Sequence, residues 1–184
     1  MKCQKNVCKV VVAGDGGVGK TTLVRRLIGR KDATSLTRGL EIESKPFNFN
    51  DGTITNIVFW DLGGQPQFRC FQESFFNGAK IILLVFDLNR YTSFHHLQQE
   101  WLPIIEKNRC SKLVIEILIG NKVDLGQTIE DELIQQFADQ NNLKYLKVSA
   151  EKGTNFDHLV NLLLEVNHNL SNYNSTNSIK IVIN

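Results

Sequence analysis

The sequence predicts an α/β fold of three layers, α/β/α, on a mostly parallel six-stranded sheet with one antiparallel edge strand. Three observations carry that prediction. Short β-rich apolar runs alternate with helical stretches, the pattern of βα units around parallel strands. The stretch 80–87 contains Ile81-Ile82-Leu83-Leu84-Val85-Phe86 without a polar break, as a strand buried on both faces should. Asn50-Asp51-Gly52 separates two strand-like stretches, a hairpin signal that adds an antiparallel pair at one edge.

Taken in order, Val10-Val11-Val12-Ala13 makes residues 9–13 the first strand, and 20–27 form its helix. Residues 29–40 lack periodicity, carry Gly, Ser and Thr, and read as loop. Within 41–49, Ile42, Phe47 and Phe49 alternate with polar neighbours, and 53–61 returns as the partner strand. A loop over 62–77 precedes the strand 80–87. A helix is expected over 93–108, a buried strand over 113–120, an amphipathic helix over 129–141 and a short strand over 145–149. The closing helix, 155–170, sets Phe156, Leu159, Leu163 and Val166 on one face. Residues 1–170 are expected to form one domain, and the polar, Asn- and Ser-rich stretch 171–184 a flexible tail.

Composition narrows the class. Apolar and charged fractions of 42% and 22% over 184 residues are those of an ordinary globular protein. A formal net charge of +2 leaves no electrostatic footprint for nucleic acid. Arg25, Arg26, Arg30 and Lys31 read as a solvated helix end. Cys3, Cys8, Cys70 and Cys110 include no C-x-x-C pair and no metal-ligand spacing with the histidines, and read as free thiols in a reducing cytosol. Nothing reaches the apolar length of a membrane span, and the start lacks the pattern of a signal peptide. Lys2 stands where N-myristoylation needs glycine, and the last residues hold no prenylatable cysteine. The expectation is a cytoplasmic monomer with no encoded lipid anchor, reaching membranes only through partners.

The chemistry is concentrated in a few motifs. Residues 14–21 read Gly14-Asp15-Gly16-Gly17-Val18-Gly19-Lys20-Thr21, which is G-x-x-x-x-G-K-T between a strand and a helix. Glycines reach positive φ and let successive N–H groups point into one cavity. The following helix adds unpaired N–H groups and the positive end of its dipole. Lys20 then meets the β- and γ-phosphates, the Thr21 hydroxyl ligates Mg²⁺, and Thr22 continues the cradle. The chain is therefore expected to bind a nucleoside triphosphate on a P-loop NTPase fold.

Ligands of such sheets sit outside the carboxyl ends of the strands. The informative residues fall there: 14–21 after the first strand, Asp61 after the third, 121–124 after the fifth, Ser149 and Ala150 after the sixth. Within Asp61-Leu62-Gly63-Gly64-Gln65, the acid is placed to hold Mg²⁺ and the Gly64 N–H to meet a γ-phosphate. The Gln65 amide offers a donor and an acceptor, as orienting an attacking water requires. Gln65, Lys20 and Gly64 are the catalytic candidates. Asn121-Lys122-Val123-Asp124 chooses the base, because the Asp124 carboxylate accepts two N–H bonds from guanine and would be left unpaired by adenine. The Lys122 stem can cover the ring, and Asn121 can tie this loop to the P-loop.

With those motifs in place, the chain resembles Ras-superfamily small GTPases from about residue 9 to 170. Phe86-Asp87-Leu88 and the helix carrying Trp101 resemble Rab proteins, whereas Trp60-Asp61-Leu62-Gly63-Gly64-Gln65-Pro66 resembles Arf-like proteins. The resemblance implies that Ser149-Ala150-Glu151-Lys152 is the last guanine motif, with the Ala150 N–H toward O6. It implies that Thr37, in Thr37-Arg38-Gly39-Leu40-Glu41, joins Thr21 and Asp61 on Mg²⁺ when the γ-phosphate is present. It further implies a switch cycling between GTP and GDP in signalling or trafficking. A GTPase-activating protein, an exchange factor and effectors would then meet residues 29–41 and 62–77. The competing expectation is a GTP-dependent scaffold, similar to a Roc domain, with negligible hydrolysis.

Departures from the pattern matter as well. Sixteen residues separate Lys20 from Thr37, and none is aromatic, which predicts weak nucleotide retention. Pro66 disfavours the α region for Gln65 and removes an N–H from the loop. Arg38 and Arg69 flank the site as surface or effector contacts rather than arginine fingers in cis. His95 and His96 are expected to face solvent far from the motifs, and Trp101 to pack in the core.

Overall fold

Val10, Val11, Val12 and Ala13 are wholly buried, which is why strand β1 (Asn6–Ala13) lies inside the sheet rather than at its edge. The structure, a computed structural model, describes residues 6–30, 32, 36–48, 52–65, 73–108 and 114–181, with backbone alone beyond 168. The other strands are β2 (Leu40–Asn48), β3 (Ile54–Leu62), β4 (Ile81–Asp87), β5 (Ile115–Asn121) and β6 (Lys144–Lys147). They form one six-stranded sheet in the order β2-β3-β1-β4-β5-β6. Every pair is parallel except β2–β3, whose antiparallel register sets Ile42 opposite Trp60 and Phe47 opposite Thr55. The expected architecture, including its antiparallel edge strand, is borne out.

Alternation along the strands builds the layers. Val10 and Val12 pack toward helices α1 (Lys20–Ile28) and α5 (Phe156–Ile181). Val11 and Ala13 pack toward α2 (Tyr91–His96), α3 (Leu102–Asn108) and α4 (Asp131–Gln140). Cys8 sits in the first of these cores, where burial pushes its thiol up to about 11, so it is an inert, apolar filler. Cys3, Cys70 and Cys110 lie outside the described residues.

Two helices differ from expectation. The single helix over 93–108 is instead α2, a π turn at Leu97–Trp101 and α3, with the Leu102 N–H donating to the Leu97 carbonyl. Pro103 has no N–H, and in an uninterrupted α-helix its ring would meet the carbonyl of Gln99, so the chain widens just before it. Helix α5 runs on to Ile181 rather than ending at 170, since no glycine or proline interrupts it.

Candidate functional site

All the motif residues meet above the carboxyl ends of β1, β3, β5 and β6. The P-loop is held by its carbonyls. Lys20 Nζ donates to the Gly14 and Asp15 carbonyls at 2.8 Å each. Arg90 Nη2 holds the Gly16 carbonyl at 2.7 Å, Lys122 Nζ that of Gly17 at 2.8 Å, and Asn121 Nδ2 that of Val18 at 2.8 Å. Five successive carbonyls are thus turned toward side-chain donors, which leaves anion binding to the N–H groups of the loop. Gly19 caps α1 without any side-chain bond, so the helix presents its N-terminal N–H groups to the same place. A cavity of about 310 Å³ opens here, lined by Gly17, Lys20, Thr21, Thr22, Thr37 and Gly64 among others. A larger open groove of about 860 Å³ between α4 and β6 includes none of the motif residues.

Beside this cavity three oxygen-bearing side chains converge. Thr21 Oγ1 lies 2.8 Å from Thr37 Oγ1, and both hydroxyls reach Asp61 Oδ2, at 2.5 and 3.1 Å. Asp61 Oδ1 is buried, and among the described residues nothing donates a hydrogen bond to it. Burial pushes the Asp61 carboxyl up, against the Thr21 hydroxyl, the Lys20 charge and the Thr37 hydroxyl, which favour its ionised form. Two hydroxyls and a buried carboxylate with a spare oxygen suit a hard, oxygen-loving cation such as Mg²⁺.

The catalytic candidates sit against the opposite wall of the P-loop. A Cβ on Gly64 would lie 2.2 Å from the Asp15 carbonyl carbon and 2.3 Å from the Gly16 nitrogen, so only glycine lets this turn close. Gly16 itself has room: a Cβ there would meet only Gln65 Cγ, at 3.9 Å. The Gly63 N–H donates to the Gly39 carbonyl at 2.7 Å, joining the end of β3 to the Thr37 segment. Arg38 is exposed, while Pro66 and Arg69 lie outside the described residues, as do 31 and 33–35 of the first loop.

On the base side, Asn121 works in both directions. Its Nδ2 holds Val18, and its Oδ1 accepts the Ala150 N–H at 2.9 Å. The resemblance had aimed that N–H at O6 of guanine; in this structure it serves Asn121, so a base oxygen would share it. Lys122, at φ +67°, stretches between Gly17 and the Asp87 carboxylate, 2.8 Å away. Asp124 stands exposed on the turn Val123–Leu125, and among the described residues nothing bonds its carboxylate. Ser149 Oγ accepts the Lys152 N–H at 2.9 Å, and Arg26 grips the Ala150 and Glu151 carbonyls with two prongs.

Four contributors escaped sequence reasoning: Arg90, Asp87, Arg26 and His96. The first two had a signal, since Asp87 ends β4 and Arg90 closely follows it, and that carboxyl end opens on the same edge as the others. His96 corrects an expectation. It does not point away from the motifs but brings Nδ1 to 2.6 Å from Asp15 Oδ2. Trp101 is fully buried as expected, yet its indole N–H also reaches Asp15 Oδ1 at 3.3 Å.

Fold and site together define a P-loop nucleotide-binding protein with a guanine-selecting loop. Residues 9–168 match the Ras family, and the chain belongs to it: it is a GTP-binding switch that hydrolyses GTP. Ras-related protein Rab-1 of Theileria parva is 32% identical over 161 residues, spanning 85% of this chain and 72% of that protein. Ras-related protein Rab-30 of Homo sapiens is 33% identical over 155 residues, 82% of this chain and 75% of that protein. RABA4d of Arabidopsis thaliana is 33% identical over 155 residues, covering 82% and 68%. These relatives favour the Rab-like side of the mixed motif pattern. Among the described residues no helix is long and apolar enough to cross a membrane.

Proposed function

We propose that GTP and GDP occupy the cradle formed by Gly14, Asp15, Gly16, Gly17, Val18, Gly19, Lys20, Thr21 and Thr22, with Asp124 selecting guanine and Thr21, Thr37 and Asp61 holding Mg²⁺. The observation that carries this reading is the convergence of the two hydroxyls on Asp61 beside a P-loop whose carbonyls from Gly14 to Val18 are turned to side chains. Mg²⁺, when bound there, would neutralise charge on the β- and γ-phosphates. Lys20 places its ammonium at the β,γ-bridge, and the Gly64 N–H meets the γ-phosphate. Gln65 accepts a hydrogen bond from the attacking water through its amide oxygen and holds that water in line.

The segments that carry Thr37 and Gln65 are the moving parts, ordered by γ-phosphate contacts and released on hydrolysis. Exposed Leu36 and Ile42 on this side supply apolar surface for an effector. A GTPase-activating protein would add roughly 10³–10⁵ to a slow intrinsic rate, and an exchange factor would open the site. The protein acts as a cytoplasmic monomer.

The test is to purify the protein in Mg²⁺, denature it and separate the released nucleotide by chromatography. GDP supports the reading, and an adenine nucleotide overturns the role given to Asp124. Gln65→Leu should still bind GTP yet hydrolyse it at least about 10-fold more slowly, as loss of water positioning requires. Undiminished hydrolysis would reject Gln65 as the water-positioning group.

A further inference from the structure

One stretch of chain grips the P-loop from outside the motifs. Arg90, just before α2, donates to the Gly16 carbonyl. His96, at the end of α2, and Trp101, at the end of the π turn, take one oxygen each of the Asp15 carboxylate. In an α-helix, residues five apart point about 140° away from each other. In a π turn, the residue five along sits roughly one turn up on the same face. The π turn is therefore what lets His96 and Trp101 reach the same carboxylate.

The chemistry of the pair sets the direction of the bonds. An ionised carboxylate only accepts, and indole N–H only donates, so His96 Nδ1 carries hydrogen toward Asp15. Asp15 is 12% exposed in its side chain and His96 40%, so the bond is shielded on the carboxylate side. Glu100, on the same helical segment, brings Oε1 to 4.0 Å from the other ring nitrogen, Nε2, and the His95 ring lies 6.3 Å away. Hydrogen bonds accepted by a carboxylate are stronger than those between neutral groups.

We propose that His96 and Trp101 are positioning residues that clamp the Asp15 carboxylate and so hold the P-loop closed on bound nucleotide. The clamp rests on the assignment of residues 14–22 as the phosphate cradle. It touches no phosphate; it acts through Asp15, the residue between the two glycines that open the loop. Retention of nucleotide should accordingly depend on both hydrogen bonds.

The experiment measures release of a fluorescent GDP analogue from the Mg²⁺-loaded full chain, with the single-turnover hydrolysis rate beside it. His96→Ala should release the analogue about threefold to tenfold faster, the net worth of one hydrogen bond. His96→Asn places an amide N–H where Nδ1 was, and should restore slow release. Trp101→Phe keeps the apolar ring and loses the donor, so release should quicken there too. His96→Ala or Trp101→Phe releasing at the unaltered rate, or His96→Asn as fast as His96→Ala, overturns the clamp. An unaltered protein that captures no GDP overturns the cradle itself, and that result is distinct from the others.

Discussion

The nucleotide grip and the catalytic arm of this protein are built differently. In the grip, carbonyls of the P-loop and of the 149–151 turn are bonded by side chains from α1, β5 and the segments after β4 and β5. In the arm, the Gly63 N–H donates to the Gly39 carbonyl, and the Thr37 side chain joins the site through its hydroxyl. A site tied through five successive carbonyls keeps its shape with or without ligand; an arm that reaches the site through a hydroxyl takes its order from what is bound there. A switch needs both, since a grip that loosened with its arms would lose the nucleotide whose hydrolysis it reports.

The largest effect should come from a grip residue that has no cross-tie among the described residues. Asp124 is exposed, and its carboxylate has no described partner, so its whole worth is realised against the base. Asp124→Asn should lower the preference for guanine over adenine nucleotides by about 10⁴-fold, the scale on which sites built around one polar edge discriminate. Competition binding of GTP against ATP reads this directly, and a preserved preference would move base selection elsewhere. Next comes the arm. Gly64→Ala puts a methyl into the Asp15 and Gly16 backbone, so the arm cannot close on the P-loop. GDP affinity should be nearly unchanged while single-turnover hydrolysis falls by about 10²-fold or more, as a misplacement of an ångström does. Equal loss of both would mean that grip and arm are not separable.

The same contrast explains what could be read from sequence. The parallel sheet and the strand-end motifs were legible because apolar runs and glycine spacings are local patterns with few structural solutions. Asn121, Lys122, Thr21 and Asp61 stand where the motifs placed them. Arg90 and His96 were not legible, because each acts on a backbone atom or carboxylate more than 70 positions away, and nothing local distinguishes them from solvated side chains. The π turn was hidden for a related reason: Pro103 announces a disturbed helix, but not which face the disturbance turns inward.

Arg26 supplies the finest cut between the two regions. From α1 it donates through Nε and Nη2 to the carbonyls of Ala150 and Glu151, and its guanidinium lies 5.5 Å from the Phe156 ring at the start of α5. The sequence placed it in a solvated basic cluster, yet it fixes the turn whose Ala150 N–H meets Asn121. It touches neither the P-loop carbonyls nor the Gly64–Gln65 turn. Arg26→Ala should therefore quicken GDP release by about threefold to tenfold, the net worth of one hydrogen bond, and leave the single-turnover hydrolysis rate alone. Lysine should rescue it poorly, because one point charge cannot reproduce a planar fork spanning two carbonyls. If Arg26→Ala slows hydrolysis as much as it speeds release, the guanine turn and the catalytic arm are mechanically coupled, and the separation drawn between grip and arm fails at this residue.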